Sequence, residues 1–209
     1  MEKITEVKYL GVTVDECLSW KSQVSNVCKN VAPKLALLRR LRSKLPVTVL
    51  ENIYKIYIQP ILEYCCTVWG YSSVENSTKI QHLQNWAARI ISNNYDFVNT
   101  RGIDIVNSLG WPTFEQKRDY QISSLMFKIV GGNAPQHLLN NVIFSTDVNE
   151  RITRNTEANN LYIPRANINL FKESLQFNGA SIWNRLECNL RSSDNVQCFK
   201  REYKSLYWG

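Results

Sequence analysis

Between residues 21 and 92 the apolar positions recur at three- and four-residue steps, the period of helices with one buried face. In KSQVSNVCKNVAPKLALLRRLRSKL (residues 21–45) they fall at Val24, Val27, Cys28, Val31, Leu35, Leu38, Leu41 and Leu45. Pro33 deletes one helical hydrogen bond inside that stretch, so the pattern predicts a kinked helix or two helices in series. A second helix is expected from Thr48, whose partner Glu51 completes a capping-box spacing. It runs through IYKIYIQPILEYCCTVW with Ile53, Tyr57, Ile61 and Tyr64 or Cys65 inward, a kink at Pro60 and an end at Gly70. Ser72 and Glu75 have the spacing to cap a third, with Ile80, Leu83, Ala87 and Ile90 or Ile91 inward.

Ahead of these helices EVKYLGVTV (residues 6–14) alternates loosely, which predicts a strand or hairpin with a bend at Gly11. Residues 15–20 read as a turn, with Ser19 or Ser22 as the cap of the first helix. Residues 93–101 are polar, have no period and mark the expected domain boundary. Beyond them residues 104–109 suggest a single helical turn, and Thr113 with Gln116 caps a helix that Gly131 and Gly132 close. Short helices at residues 135–142 and 172–186 follow, with a long polar loop at 145–160 between them. In the last helix, residues 193–207, Val196, Phe199, Tyr203 and Leu206 share one side. The fold class is therefore mainly α: a short N-terminal β-hairpin or strand, a three-helix bundle, and a smaller helical C-terminal region. Its expected divisions are residues 1–20, 21–100 and 101–209.

Charge changes the reading of the first helix. Lys21, Lys29, Lys34, Arg39, Arg40, Arg42 and Lys44 lie in residues 21–45, which contain no Asp or Glu. The chain has 25 Lys+Arg against 18 Asp+Glu, so these seven residues carry the whole net charge of +7. An apolar stripe with cations outside it predicts a helix that rests on a core and turns its basic side to an anionic partner. A solvated basic face is the ordinary alternative, and a membrane surface or an acidic protein would also satisfy the charge.

The six cysteines include no C-x-x-C pair, and His82 and His137 lie far from them in sequence, so metal-ligand spacing is absent. Cysteine then acts as a small hydrophobe in a reduced, intracellular compartment, nuclear or cytoplasmic. The most apolar run, residues 53–69, is broken by Lys55, Gln59, Pro60 and Glu63, so no membrane partner is expected.

Several segments, taken in order, resemble one family. They are KYLGVTVDECLSW, LLRRLRSKLP, YIQPILEYCCTVWG, LQNWAARII, LGWPTFEQKRDYQISSLMFKIVGGNAP, NLYIPRANINLFKESLQFNGASIWNRL and FKREYKSLYW. The set is similar to the C-terminal portion of non-LTR (LINE-type) retrotransposon polyproteins, beginning at the end of the reverse transcriptase. Trp86 departs from the pattern, because such proteins usually carry a basic residue there.

The resemblance implies that Tyr9, Leu10 and Gly11 form the primer grip, the hairpin that holds the 3′ end of a growing strand. By itself Gly11 reads as a plain strand bend; the order of the motifs turns the reading toward the grip. The resemblance also makes the helices of residues 21–92 a thumb, whose first helix follows an RNA–DNA hybrid or duplex along its phosphates. The aromatic residues Trp69, Tyr71, Trp86, Trp111, Trp183 and Trp208 could each stack a base, but their helical spacing favours packing. Trp111 and Trp183 are expected in the core of the C-terminal portion. Arg151, Arg154 and Arg165, in irregular backbone, are further candidates for phosphate contact.

Polymerase chemistry needs clustered aspartates holding two divalent metals, and the chain contains no Asp-Asp pair. The resemblance places that element, and the Mg it holds, in a palm upstream of Met1, so no cofactor and no catalytic residue is expected here. The expected function is a non-catalytic fragment of an RNA-directed DNA polymerase that binds template–primer nucleic acid. A degenerate or repurposed helical module for protein interaction is the alternative. In a third reading the chain works with an upstream palm-containing polypeptide as its partner.

Overall fold

The computed structural model describes residues 5–148 and 159–208. The chain divides into two compact units, one ending at Arg118 and the other beginning at Asp119.

The first unit begins with an antiparallel hairpin, β1 (Glu6–Tyr9) and β2 (Val12–Asp15), in which Tyr9 pairs with Val12 and Glu6 with Asp15. Leu10 and Gly11 form the turn between them, at φ 45° and 84°. Positive φ at both central residues is the geometry that matches strand twist, and it explains why a glycine stands second. β2 is the packed strand: Val12 and Thr13 are buried, whereas all four residues of β1 are exposed.

Helix α1 (Lys21–Leu41) passes through Pro33 as one continuous helix, not two in series. Its buried residues Val24, Val27, Val31, Leu35 and Leu38 are those the period predicts. Neither serine caps it. Trp20, in left-handed conformation, precedes the first turn, and the Asp15 carboxylate accepts the backbone N–H groups of Ser19, Trp20 and Cys17 at 2.9, 2.9 and 3.1 Å.

The second helix differs from its prediction in three ways. It starts at Val47 behind Pro46, whose fixed φ sets the entry, and Thr48 makes no cap. It is broken into α2 (Val47–Ile53), a π-helical turn (Tyr54–Ile58), α3 (Gln59–Glu63) and α4 (Cys66–Trp69). Its buried residues are Leu50, Tyr54, Ile58, Leu62, Cys66 and Trp69, while Tyr57 and Tyr64 are exposed. A strict four-residue step drifts about 40° per step on an α-helix. The wider π turn, marked by the Gln59 N–H bonding back to the Tyr54 carbonyl, takes up that drift and keeps the set on one face. It ends as Pro60, which has no N–H to give, enters the first turn of α3.

Helix α5 (Val74–Ser92) is capped by Ser73, one residue after the expected serine, and buries Ile80, Ala87, Ile90 and Ile91 as expected. α5 packs against both α1 and α6 (Gly102–Ser108). The core of the unit closes with Trp111 stacked on Tyr54 at 4.3 Å and Phe114 on Trp69 at 5.8 Å. Trp111 thus belongs to this core, not to the C-terminal one. Gly70 ends α4 where a Cβ would meet the Cys66 carbonyl at 2.3 Å and the Arg118 Cδ at 2.9 Å.

Thr113 and Gln116 form the expected reciprocal cap on α7 (Phe114–Val130), at 2.8 and 3.2 Å. In the second unit Ile122, Met126, Ile182, Trp183, Phe199 and Tyr203 are buried, drawn from α7 and the helices Leu175–Arg185 and Val196–Trp208. Leu206 is exposed, because Tyr203 and Phe199 supply the packed side of that helix. Arg151 and Arg154 lie outside the described residues, and Arg165 is exposed.

Candidate nucleic-acid interface

The seven cations do not share one face. At about 100° per residue, Lys21, Lys29, Arg39 and Arg40 fall within an arc of roughly 100° on the side away from the apolar stripe. All four are exposed. Lys34 sits on the other flank, where its ammonium donates to the Asn30 carbonyl at 3.1 Å. Arg42 caps the helix and is half-buried, and Lys44 is exposed in the turn beyond. Among the described residues no carboxylate lies within salt-bridge distance of any of the seven. Lys21 stands near enough to Glu75 to help Lys79, the main cause, hold that carboxyl below its usual range.

The hairpin is fastened to the first half of α1. The Thr13 N–H donates to the Gln23 side-chain oxygen at 2.8 Å, and Asn26 donates to the Thr13 hydroxyl at 3.0 Å. Ser22 donates to the Glu6 carboxylate. Tyr9 and Leu10 are 68% and 72% exposed, so the tip presents two large apolar side chains to solvent. Of the two residues the helical period offers inward, Cys65 packs half-buried against the core, and Tyr64 instead donates its hydroxyl to the Leu10 carbonyl at 2.8 Å.

Two further features carry no signal in the apolar period. Arg89 is 5% exposed on α5, and its guanidinium donates to the carbonyls of Asn94, Asp96 and Thr100 at 3.3, 3.0 and 2.5 Å. It holds the polar stretch after α5 against the helix. Beside it Trp86 meets Phe97 at 6.0 Å and Tyr95 at 6.1 Å. The LQNWAARII run contained both residues, but only the loop it meets explains them.

None of the six cysteines forms a disulfide, and burial pushes the Cys66 thiol up to about 12. Among the described residues no group of three His, Cys, Asp or Glu comes together to hold a metal. No helix of the described residues is long and apolar enough to cross a membrane.

Four curated proteins match the chain. It is 34% identical over 88 residues to the probable RNA-directed DNA polymerase from transposon X-element of Drosophila melanogaster, covering 41% of this chain and 10% of that protein. To the RNA-directed DNA polymerase from mobile element jockey of the same fly it is 33% identical over 100 residues, 46% of this chain and 11% of the relative. Over these stretches the chain is similar to RNA-directed DNA polymerases of transposable elements. A third match, to the probable RNA-directed DNA polymerase from transposon BS of Drosophila melanogaster, reaches 56% of this chain at 27% identity. The chain spans about a tenth of the length of these reverse transcriptases. No family model and no solved structure matches it.

Proposed function

We propose that the chain binds template–primer nucleic acid, an RNA–DNA hybrid or duplex, through its backbone phosphates. In this reading residues 1–20 are the palm end with the primer grip, 21–100 the thumb, and 101–209 an accessory helical region. The observation that carries it is the outward arc of Lys21, Lys29, Arg39 and Arg40, none of which has a carboxylate within salt-bridge distance among the described residues. Phosphate contact positions a duplex without reading its bases, which suits an enzyme that copies any template. The similarity to RNA-directed DNA polymerases supports the same partner. Metal-dependent bond formation is assigned to a palm-containing polypeptide and none of it to this chain. Six cysteines with no disulfide among them support an intracellular setting.

A second reading, a helical module that binds another protein, is favoured by Ile56, Tyr57 and Val68, exposed at 64%, 63% and 56%. Titrating a labelled RNA–DNA hybrid separates the two. With Lys29, Arg39 and Arg40 changed together to Gln, hybrid affinity falls at least tenfold and the melting temperature stays; Lys34→Gln leaves affinity unchanged. Equal loss in both variants, or none in either, overturns the phosphate-tracking reading. Binding that is lost only on mutating Ile56 and Tyr57 favours the protein module.

A further inference from the structure

Between α1 and α5 lies a groove of about 560 Å³ lined by Ala32, Leu35, Ala36, Arg39, Arg40, Leu83 and Trp86. Its width has a simple cause. Ala32 and Ala36 sit one turn apart on α1, where larger residues would close the space over Trp86. The lining is predominantly apolar, and Arg39 and Arg40 both belong to it. Neither arginine has a carboxylate within salt-bridge distance among the described residues.

Trp86 is held as a platform. Phe97 lies beside it at an interplanar angle of 25°, and Tyr95 meets it edge-on. Phe97 is itself covered by the Arg89 guanidinium, 4.4 Å from the ring centre, while Arg89 is fixed by three backbone carbonyls. A flat aromatic wall, a small-residue opposite wall and cations in the same lining match one chemical object: a planar base joined to an anionic phosphate.

We infer that this groove takes an unpaired nucleotide, stacking its base on Trp86 and seating its phosphate on Arg39 and Arg40. The inference rests on the nucleic-acid reading above and deepens it, because it assigns the single-stranded part of a template to a site that shares Arg39 and Arg40 with the duplex-tracking face. Ala32, Leu35, Ala36 and Leu83 bear no side-chain hydrogen-bonding group, so the site accepts any base.

The test uses the full chain and three labelled probes: a blunt RNA–DNA hybrid, the same hybrid with a short RNA overhang, and the single strand alone. The overhang tightens binding roughly tenfold, as one or two stacked bases should. Trp86→Ala removes that gain and leaves the blunt hybrid bound as before; Trp86→Phe keeps most of it. Ala36→Phe, at an exposed position, fills the groove without touching the core and removes the gain as well, so the result does not depend on how Trp86→Ala folds. An overhang that adds nothing, or a gain that survives both Trp86→Ala and Ala36→Phe, overturns the inference while leaving duplex tracking intact. If no variant binds the blunt hybrid but the single strand binds in a Trp86-dependent way, duplex tracking fails and the groove stands. Displacement of the overhang by an acidic, apolar peptide at lower concentration than by the single strand makes the groove a protein site and overturns it.

Discussion

Tyr64 donates its hydroxyl to the carbonyl oxygen of Leu10 at 2.8 Å, across 54 positions of sequence. The bond ties the break between α3 and α4 to the tip of the hairpin. It also gives a partner to an aromatic residue that is 52% exposed where the neighbouring Cys65 takes the inward position. Because the bond is open to water, Tyr64→Phe costs little global stability. The variant loosens the hairpin more than the core: amide exchange in residues 6–15 rises while that of α5 stays, and uniform loss of protection would contradict this placement.

Leu10 pays a conformational penalty at φ 45°, of about 1 kcal/mol for a side chain in the left-handed region. Asparagine tolerates that region and is the preferred partner of glycine in such turns. Leu10→Asn therefore raises thermal stability by up to about 1 kcal/mol. It also weakens binding of a hybrid with a recessed 3′ end by several-fold, because the apolar contact is gone. A stabler variant with unchanged binding would show that the strain serves no contact at the primer terminus.

Asp15 links pH to the start of α1. Burial alone would raise its pKa, but the backbone N–H groups of Ser19, Trp20 and Cys17 hold the carboxyl below its usual value. The folded-state pKa is depressed, so its contribution is full above the unfolded value of about 4 and is lost as pH falls through the folded value. Asp15→Ala costs about 1 kcal/mol at pH 7, as loss of a helix-start cap does. Melting curves of the two proteins converge as the pH falls through the depressed folded-state pKa. A gap that stays constant into acid would contradict the carboxylate's role.

Arg89 clamps residues 93–101. Truncation to Ala leaves three carbonyls without their donor and costs about 2–3 kcal/mol. Exchange in residues 94–100 rises most, and Arg89→Lys recovers only part of it, since an ammonium does not reproduce the planar fork. Protection unchanged in that stretch would remove the clamp.

How much of this was legible depends on whether the cause was local. The buried face of α1, the bend at Gly11 and the Thr113–Gln116 cap follow from residues within one or two turns of each other, and the structure has them. The inward face of the second helix does so only in part. Ile53 and Ile61 pack half-buried against the core as expected, but Tyr57 is exposed, and the fully buried row is Tyr54, Ile58 and Leu62, which only the core they meet decides. For the same reason Thr48 and Glu51 have the right spacing without making a cap, since Pro46 sets the helix entry one residue earlier. The basic stretch was legible as composition. Its division into an outward arc and a flanking Lys34 follows from which side of α1 the core takes. Trp86 and Arg89 gave no sign of the loop they hold, because nothing within a turn of either names its partner.

The most direct test is the salt dependence of hybrid binding. If Lys21, Lys29, Arg39 and Arg40, with or without Arg42 and Lys44, each neutralise a phosphate, log affinity falls against log salt with a slope of roughly −3 to −5. Changing Arg39 and Arg40 to Gln should make that slope shallower by nearly 2. A flat profile for the native chain, or a slope that the double variant leaves unchanged, would contradict the account.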